Sequence, residues 1–281
     1  MTLRDYSLCP CGSGLAFKTC CGADAGDVIG RSRRAAYAGE VGRAREAFCR
    51  DYTARKQSAI AGICEGLKRE AGSTGKLISC ARGCTPCCRV YVVASLQECE
   101  AVVYYLYSHE EVLRRFLRAY APWRRGIDSM RDTFFNISRL QQKRMSHRDS
   151  PEDDSAFNAE LVKYSEHDLS CPFLFEGACS IYEVRPYVCA SVVSVSPAEW
   201  CELKHPEHYE MSYIKTQLNL GKDMPYFVRP TSGLLFANMP QLVHDILSDG
   251  YGALSAIPGL EGLQPEVLSD PEVLDALRRL R

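Results

Sequence analysis

Cys80-Ala81-Arg82-Gly83-Cys84-Thr85-Pro86-Cys87-Cys88 places four thiols within nine residues, and this loop decides what kind of fold the chain adopts. Soft thiolate donors this close together suit Zn²⁺ or an iron–sulfur cluster. Three more cysteines complete the run downstream as Cys171-x7-Cys179-x9-Cys189. Seven thiols are too many for one tetrahedral zinc. They suit two metals, or one cluster with further thiols nearby.

Outward from this run, a second group stands near the start of the chain. Cys9-Pro10-Cys11 and Cys20-Cys21 have the spacing C-x-C-x8-C-C, which supplies a closed four-thiolate set of the structural zinc kind. Gly12-Ser13-Gly14 bends the chain back and offers amides to the sulfurs, and Gly22 lets it leave tightly. The two groups account for eleven of the fifteen cysteines. Disulfides are not their expected role. The count is odd, and adjacent pairs such as Cys20-Cys21 and Cys87-Cys88 are cramped partners. Cys49, Cys64 and Cys99 fall on expected helices and read as buried apolar residues. Cys201-x3-His205-x2-His208 has donor spacing, but Pro206 interrupts the helix that spacing would want.

Composition sets the frame. The chain has 281 residues, 46% hydrophobic and 25% charged, with a formal charge of −1. Net charge alone therefore excludes a strongly polyanion-seeking protein. No apolar run approaches the ~18 residues that a membrane span requires. Residues 1–6 lack the apolar core of a secretory signal, so a cytoplasmic location is expected. Arg114, Arg115, Arg118, Arg124, Arg125 and Arg131 make one helical stretch basic, without the aromatic interleaving of base stacking. That stretch reads as a solvated face, and nucleic acid is not an expected partner.

The periodicity reads mainly as helix. Phe48, Tyr52, Ile60, Ile63 and Leu67 mark one face of a helix over 33–68, closed by a turn at 71–75. A short β-like segment is expected at 89–94, then a helix to about 107 with Ser95 and Glu98 as a capping box. A further helical stretch over 110–145 carries an apolar stripe, and Pro122 is expected to kink or split it. Ser150-Pro151 starts another helix, with Glu152-Asp153-Asp154 answering its N-terminus. Pro197 opens a shorter helix, and 240–247 and 271–280 are helical.

Two resemblances follow from the cysteine-bearing segments. Cys9-Pro10-Cys11-Gly12-Ser13-Gly14 with Phe17-Lys18-Thr19-Cys20-Cys21-Gly22 resembles the SEC-C motif, found at the C-terminus of the SecA translocation ATPase and on many other bacterial proteins. It implies a zinc module that docks chaperones or ribosomes in some hosts. Leu15 and Ala16 stand where such motifs often carry lysines, which reduces attraction to an acidic partner.

The second run resembles the YkgJ-type cysteine-cluster family of zinc- or iron-chelating proteins. Its seven cysteines are joined there by Cys171-Pro172-Phe173-Leu174, Cys179-Ser180-Ile181-Tyr182-Glu183 and Arg185-Pro186. Ala190 departs from that pattern, which commonly has Arg after the last cysteine. Arg185 and Arg89 are the remaining cations beside the thiols, able to lower thiol pKa values and offset cluster charge. A pair with Glu183 is the structural alternative for Arg185. Cys80-x3-Cys84-x2-Cys87 also has the three-cysteine spacing of radical-SAM enzymes, and flagellin lysine methylase resembles the cysteine-cluster family. Against that comparison, Pro86 occupies the usual aromatic position, and the strand–helix alternation of a barrel is missing.

The expected molecule is mainly α with a few short strands, a metal-stapled cysteine-rich core and a small N-terminal zinc knuckle. Its expected parts are the knuckle at 1–23, a helical linker segment at 24–76, the cysteine-cluster domain at 77–215 and a helical extension at 216–281. Its expected ligands are Cys9, Cys11, Cys20 and Cys21 for zinc, and Cys80, Cys84, Cys87, Cys88, Cys171, Cys179 and Cys189 for zinc or an iron–sulfur cluster. The leading expectation is a metal-binding protein in metal handling or redox, its zinc module docking a protein partner. The alternative is an iron–sulfur enzyme that modifies a protein, in the manner of a protein methylase. Sequence leaves open whether any catalysis occurs.

Overall fold

Helix α1, Gly39–Ser73, runs from the main core to the cysteine-bearing loops and contributes to both. The structure is a computed structural model and describes residues 16, 33, 36–37, 39–81, 83–145, 150–216 and 236–249. The N-terminal cysteines, the expected helix at 271–280 and the Gly/Pro-rich segment before it lie outside the described residues. Within them the chain is mostly helical with a few short strands, as the periodicity implies. Phe48, Tyr52, Ile60, Leu67 and Ala71 of α1 are buried at multiples of about one turn, so one face packs. Lys56 falls in the middle of that stripe and is fully buried.

Helix α2, Leu96–Ser108, is the centre of the fold. Ser95 Oγ accepts from Glu98 N (3.2 Å), and the Glu98 carboxylate accepts from Ser95 N (2.9 Å), which closes the expected capping box. Leu96 through Val103 are all buried, because α1 and helix α7, Met239–Asp249, both pack against α2. The basic stretch divides into α3, Glu110–Ser129, and α4, Arg131–Met145. The break lies at Met130, not at Pro122, which sits inside a continuous α3. Pro122 and Arg118 are both exposed, so the carbonyl that proline leaves without a donor lies on the outer face of the helix. On the opposite face Tyr120 and Trp123 are buried and hold the helix in place.

Helix α5, Pro151–Glu166, starts with the expected Ser150 cap, reciprocated by Asp153. Asp153 also pairs with Lys143 (2.8 Å) and Asp154 with Arg144 (3.3 Å), fastening α5 to α4. Arg114, Arg115 and Arg124 pair with carboxylates one turn away, as a solvated face does.

Among the described residues three antiparallel two-stranded ladders complete the fold. Strand β1, Val93–Ser95, pairs with β6, Phe236–Asn238, with Ala94 opposite Ala237. The expected β-like segment thus begins late, since Pro86–Arg89 form a 3-10 turn. Strands β2, Leu174–Phe175, and β3, Ala178–Cys179, form a two-residue hairpin. Glu176 (φ 47°) and Gly177 (φ 74°) both take left-handed backbone there, the type I′ geometry that suits strand twist. Strand β4, Val192–Ser194, pairs with β5, Tyr213–Lys215. Between these hairpins lies α6, Tyr187–Ala190. The helix expected after Pro197 is a 3-10 turn, Ala198–Cys201.

Candidate metal centre

All seven thiols of the second run border one cavity of about 310 Å³. Four stretches of chain bring them there. Cys80 follows α1 in an extended segment laid along β4. Ser79 N donates to Ser194 O (3.0 Å), and Ser194 N donates to Cys80 Sγ (3.1 Å). Cys84 closes a tight turn by donating its N–H to Ala81 O (3.0 Å), with Gly83 at φ 95°, a conformation costly for any residue with a Cβ. Cys87 and Cys88 sit in the 3-10 turn, and Cys171 N donates to Cys88 O (2.7 Å). Cys179 ends the β2–β3 hairpin, opposite Leu174.

Cys189 lies on α6, whose position is set from behind. Tyr187 N donates to Glu98 Oε1 (2.6 Å), and buried Lys56 Nζ donates to Val184 O (2.7 Å) while lying 3.9 Å from Glu98 Oε1. The residue that caps α2 therefore also fixes the loop carrying Cys189. Burial holds the Lys56 ammonium below its ordinary range, with Glu98 pulling the other way.

Crowding governs the thiols. The hydrogen bond from Cys88, then that from the backbone N–H of Cys87 and last the charge of Arg185, bring Cys87 down to about 7 against the opposing effect of burial. Cys88, the donor in that bond, is raised by it and by burial. Burial pushes Cys84 up to about 11 and Cys171 up to about 12, and neighbouring thiolates add to both. Burial raises Cys189 too, with Cys171 and Cys179 adding to it. Side by side, these groups resist ionising together unless a cation joins them.

The donor set fits a soft metal: it is rich in sulfur, and Ser194 N already points at one of the sulfurs. Among the described residues no three His, Cys, Asp or Glu side chains are arranged to hold one ion as they stand. The sulfurs line the wall rather than meet at a point.

Several expectations resolve differently. Arg185 does not pair with Glu183. It donates to Tyr182 O (2.8 Å), lies 3.7 Å from the centre of the Tyr182 ring and reaches Cys64 Sγ at 3.5 Å. Its charge helps to lower Cys87 and works against the burial that raises Cys179. Arg89 pairs with Glu202 (2.8 Å) and Asp168 (3.2 Å). Cys49 and Cys99 are buried as expected, but Cys64 borders the cavity with Lys68 one turn further along α1. The signal for Cys64 was its four-residue step from buried Ile60, which two neighbouring apolar positions obscured. His205 Nδ1 pairs with Glu207 (3.0 Å), and His208 Nδ1 contacts Trp200 O (3.0 Å), so the Cys201, His205, His208 spacing does not converge.

The N-terminal cysteines belong to the one segment with a recognised family. Residues 7–23 match the SEC-C motif. The SEC-C segment contains Cys9, Cys11, Cys20 and Cys21 and is compatible with a metal-binding module. No curated protein and no solved structure matches the chain. Among the described residues no helix is long and apolar enough to cross a membrane.

Proposed function

We propose that the chain is a metal-binding protein, with a Cys₄ zinc site in its SEC-C segment and a zinc or iron–sulfur centre held by the cavity thiols. The observation that carries the reading is the convergence of Cys80, Cys84, Cys87, Cys88, Cys171, Cys179 and Cys189 on one cavity from four separate stretches of chain. As thiolates these seven groups would repel one another, and a cation between them removes that cost. The YkgJ-type resemblance of the same residues supports it. Metal at this point would staple the loops to α2 through α6 and suits a role in metal handling or redox.

Anaerobic purification followed by metal analysis and visible absorption tests this. Metal beyond one zinc per chain is the expected result, with a brown colour for iron–sulfur and a colourless protein for zinc. A folded, colourless chain with no more than one zinc contradicts it.

The second reading, an iron–sulfur enzyme that modifies a protein, is favoured by the cavity's apolar wall of Phe173, Ile181, Val193 and Met239. A ligand pocket needs such a wall, and a bare ion does not. Cleavage of S-adenosylmethionine by the reduced protein would decide for it. The SEC-C segment would dock a chaperone, the ribosome or another protein. Deletion of residues 1–23 should then remove partners from pull-downs, and an unchanged set of partners counts against docking.

A further inference from the structure

Three arginine or lysine side chains are buried among the described residues, and two of them have a buried carboxylate to answer their charge. Arg45 pairs with Glu100 at 2.7 Å, and Lys56 lies 3.9 Å from Glu98. The third, Arg185, is 8% exposed and has none. Glu98 and Glu100 are the buried carboxylates of the described residues, and both are taken. Arg185 has a carbonyl, a thiol and an aromatic ring instead. Nη1 donates to Tyr182 O (2.8 Å), Nη2 donates to Cys64 Sγ (3.5 Å), and the guanidinium carbon lies 3.7 Å from the centre of the Tyr182 ring. A guanidinium has five donors, so most of its hydrogen-bonding capacity is left over. A buried charge in that state is costly unless something anionic joins it.

Arg185 borders the cavity, and the missing acceptor can enter from there. Ile78, Val92, Phe173, Ile181 and Met239 give the same cavity an apolar wall, and about 310 Å³ is the small end of the range for ligand pockets. Lys68 also borders it, but is exposed and already pairs with Glu65 at 2.7 Å. One positive charge is therefore spare. A carboxylate matches it, and a planar carboxylate suits the guanidinium fork, whereas a phosphate monoester brings nearly two negative charges.

We propose that the cavity binds a small monocarboxylic acid with an apolar body, its carboxylate on Arg185 and its body against Phe173, Ile181 and Met239. This goes beyond the metal reading and holds whether or not the thiols carry an ion. Metal-bound thiolates are the competing counter-charge for Arg185. The sulfur that Arg185 reaches, however, belongs to Cys64, which lies outside both cysteine runs.

Calorimetric titration of octanoate into the full chain, purified without oxygen, tests this, with metal content measured on the same samples. The parent should bind octanoate about 10- to 100-fold more tightly than octan-1-ol, the difference that charge-assisted hydrogen bonds make. Acetate, which lacks the body, should bind far more weakly than octanoate. Arg185→Gln should reduce octanoate to the level of octanol, and Arg185→Lys should recover part of the loss. If Arg185→Gln does not fold, the preference of the parent for octanoate over octanol and acetate decides. Equal affinity of the parent for octanoate and octanol overturns the inference, and so does octanoate affinity unchanged in a folded Arg185→Gln. A parent that holds metal beyond one zinc per chain and does not bind octanoate overturns this inference and leaves the metal reading standing. A parent without that metal that binds octanoate through Arg185 does the reverse.

Discussion

Glu98 is the residue on which the most structure depends. Its carboxylate accepts from Ser95 N, Ser95 Oγ and Tyr187 N, and it is the acidic partner of buried Lys56. Replacing Glu98 by Ala leaves an uncompensated buried ammonium and removes the cap, so a loss of about 3–5 kcal/mol is expected in urea denaturation. Lys56→Met should cost less, because Glu98 keeps three donors. The double variant should cost less than the sum, since one network is being removed twice. Sequence shows the cap, because Ser95 and Glu98 stand three apart before an apolar run. It hides the partner: Lys56 lies 42 positions from Glu98, and a lysine inside an apolar stripe has no local sign of where its charge goes. The thiols are legible for the opposite reason. Cysteine spacing is local within each run, whereas Cys64 has no cysteine close by, and its four-residue step from Ile60 says only which face of α1 it shares.

At the scale of elements, α3 shows how exposure decides what a breaker does. Pro122 lies on the wet face of a helix whose other face is buried, so it lowers stability without ending the helix. Pro122→Ala should therefore raise thermal stability, by up to about 3 kcal/mol, with the helix content unchanged by circular dichroism. A loss of stability would mean that the proline ring packs against something the helix needs. Caps and stripes are readable because they repeat over three or four residues; α2 starts where its Ser-x-x-Glu signal places it, and α5 where Ser150-Pro151 does. The ladders are less so. β1 pairs with β6 across more than 140 residues, and three-residue strands carry too little alternation to stand out. Val90-Tyr91-Val92 follow the 3-10 turn at Pro86–Arg89, and the ladder with β6 takes in only Val93–Ser95.

At the scale of the whole molecule, α1 and α2 form a platform, and the thiol-bearing loops are fastened to it by Lys56, Glu98 and the α6 turn. The helical frame has an extensive core that includes Phe48, Tyr52, Leu106, Phe116 and Ile127. The thiol loops reach that core through Phe173, Ile181 and Val184, and Tyr187, Ala190 and Ile214 fall in two smaller apolar clusters around Ile60 and Leu67. The frame should therefore survive metal loss while the loops loosen, a division that hydrogen exchange would read as protection lost over 77–90 and 171–195 only. The central claim is that the cavity thiols, and not the SEC-C segment alone, hold metal. Metal content of the full chain with Cys9, Cys11, Cys20 and Cys21 all replaced by Ser, purified without oxygen, tests it most directly. The account predicts that this variant keeps tightly bound zinc or iron, and loses it when Cys84 and Cys179 are also replaced. A folded variant that comes out free of metal would contradict it.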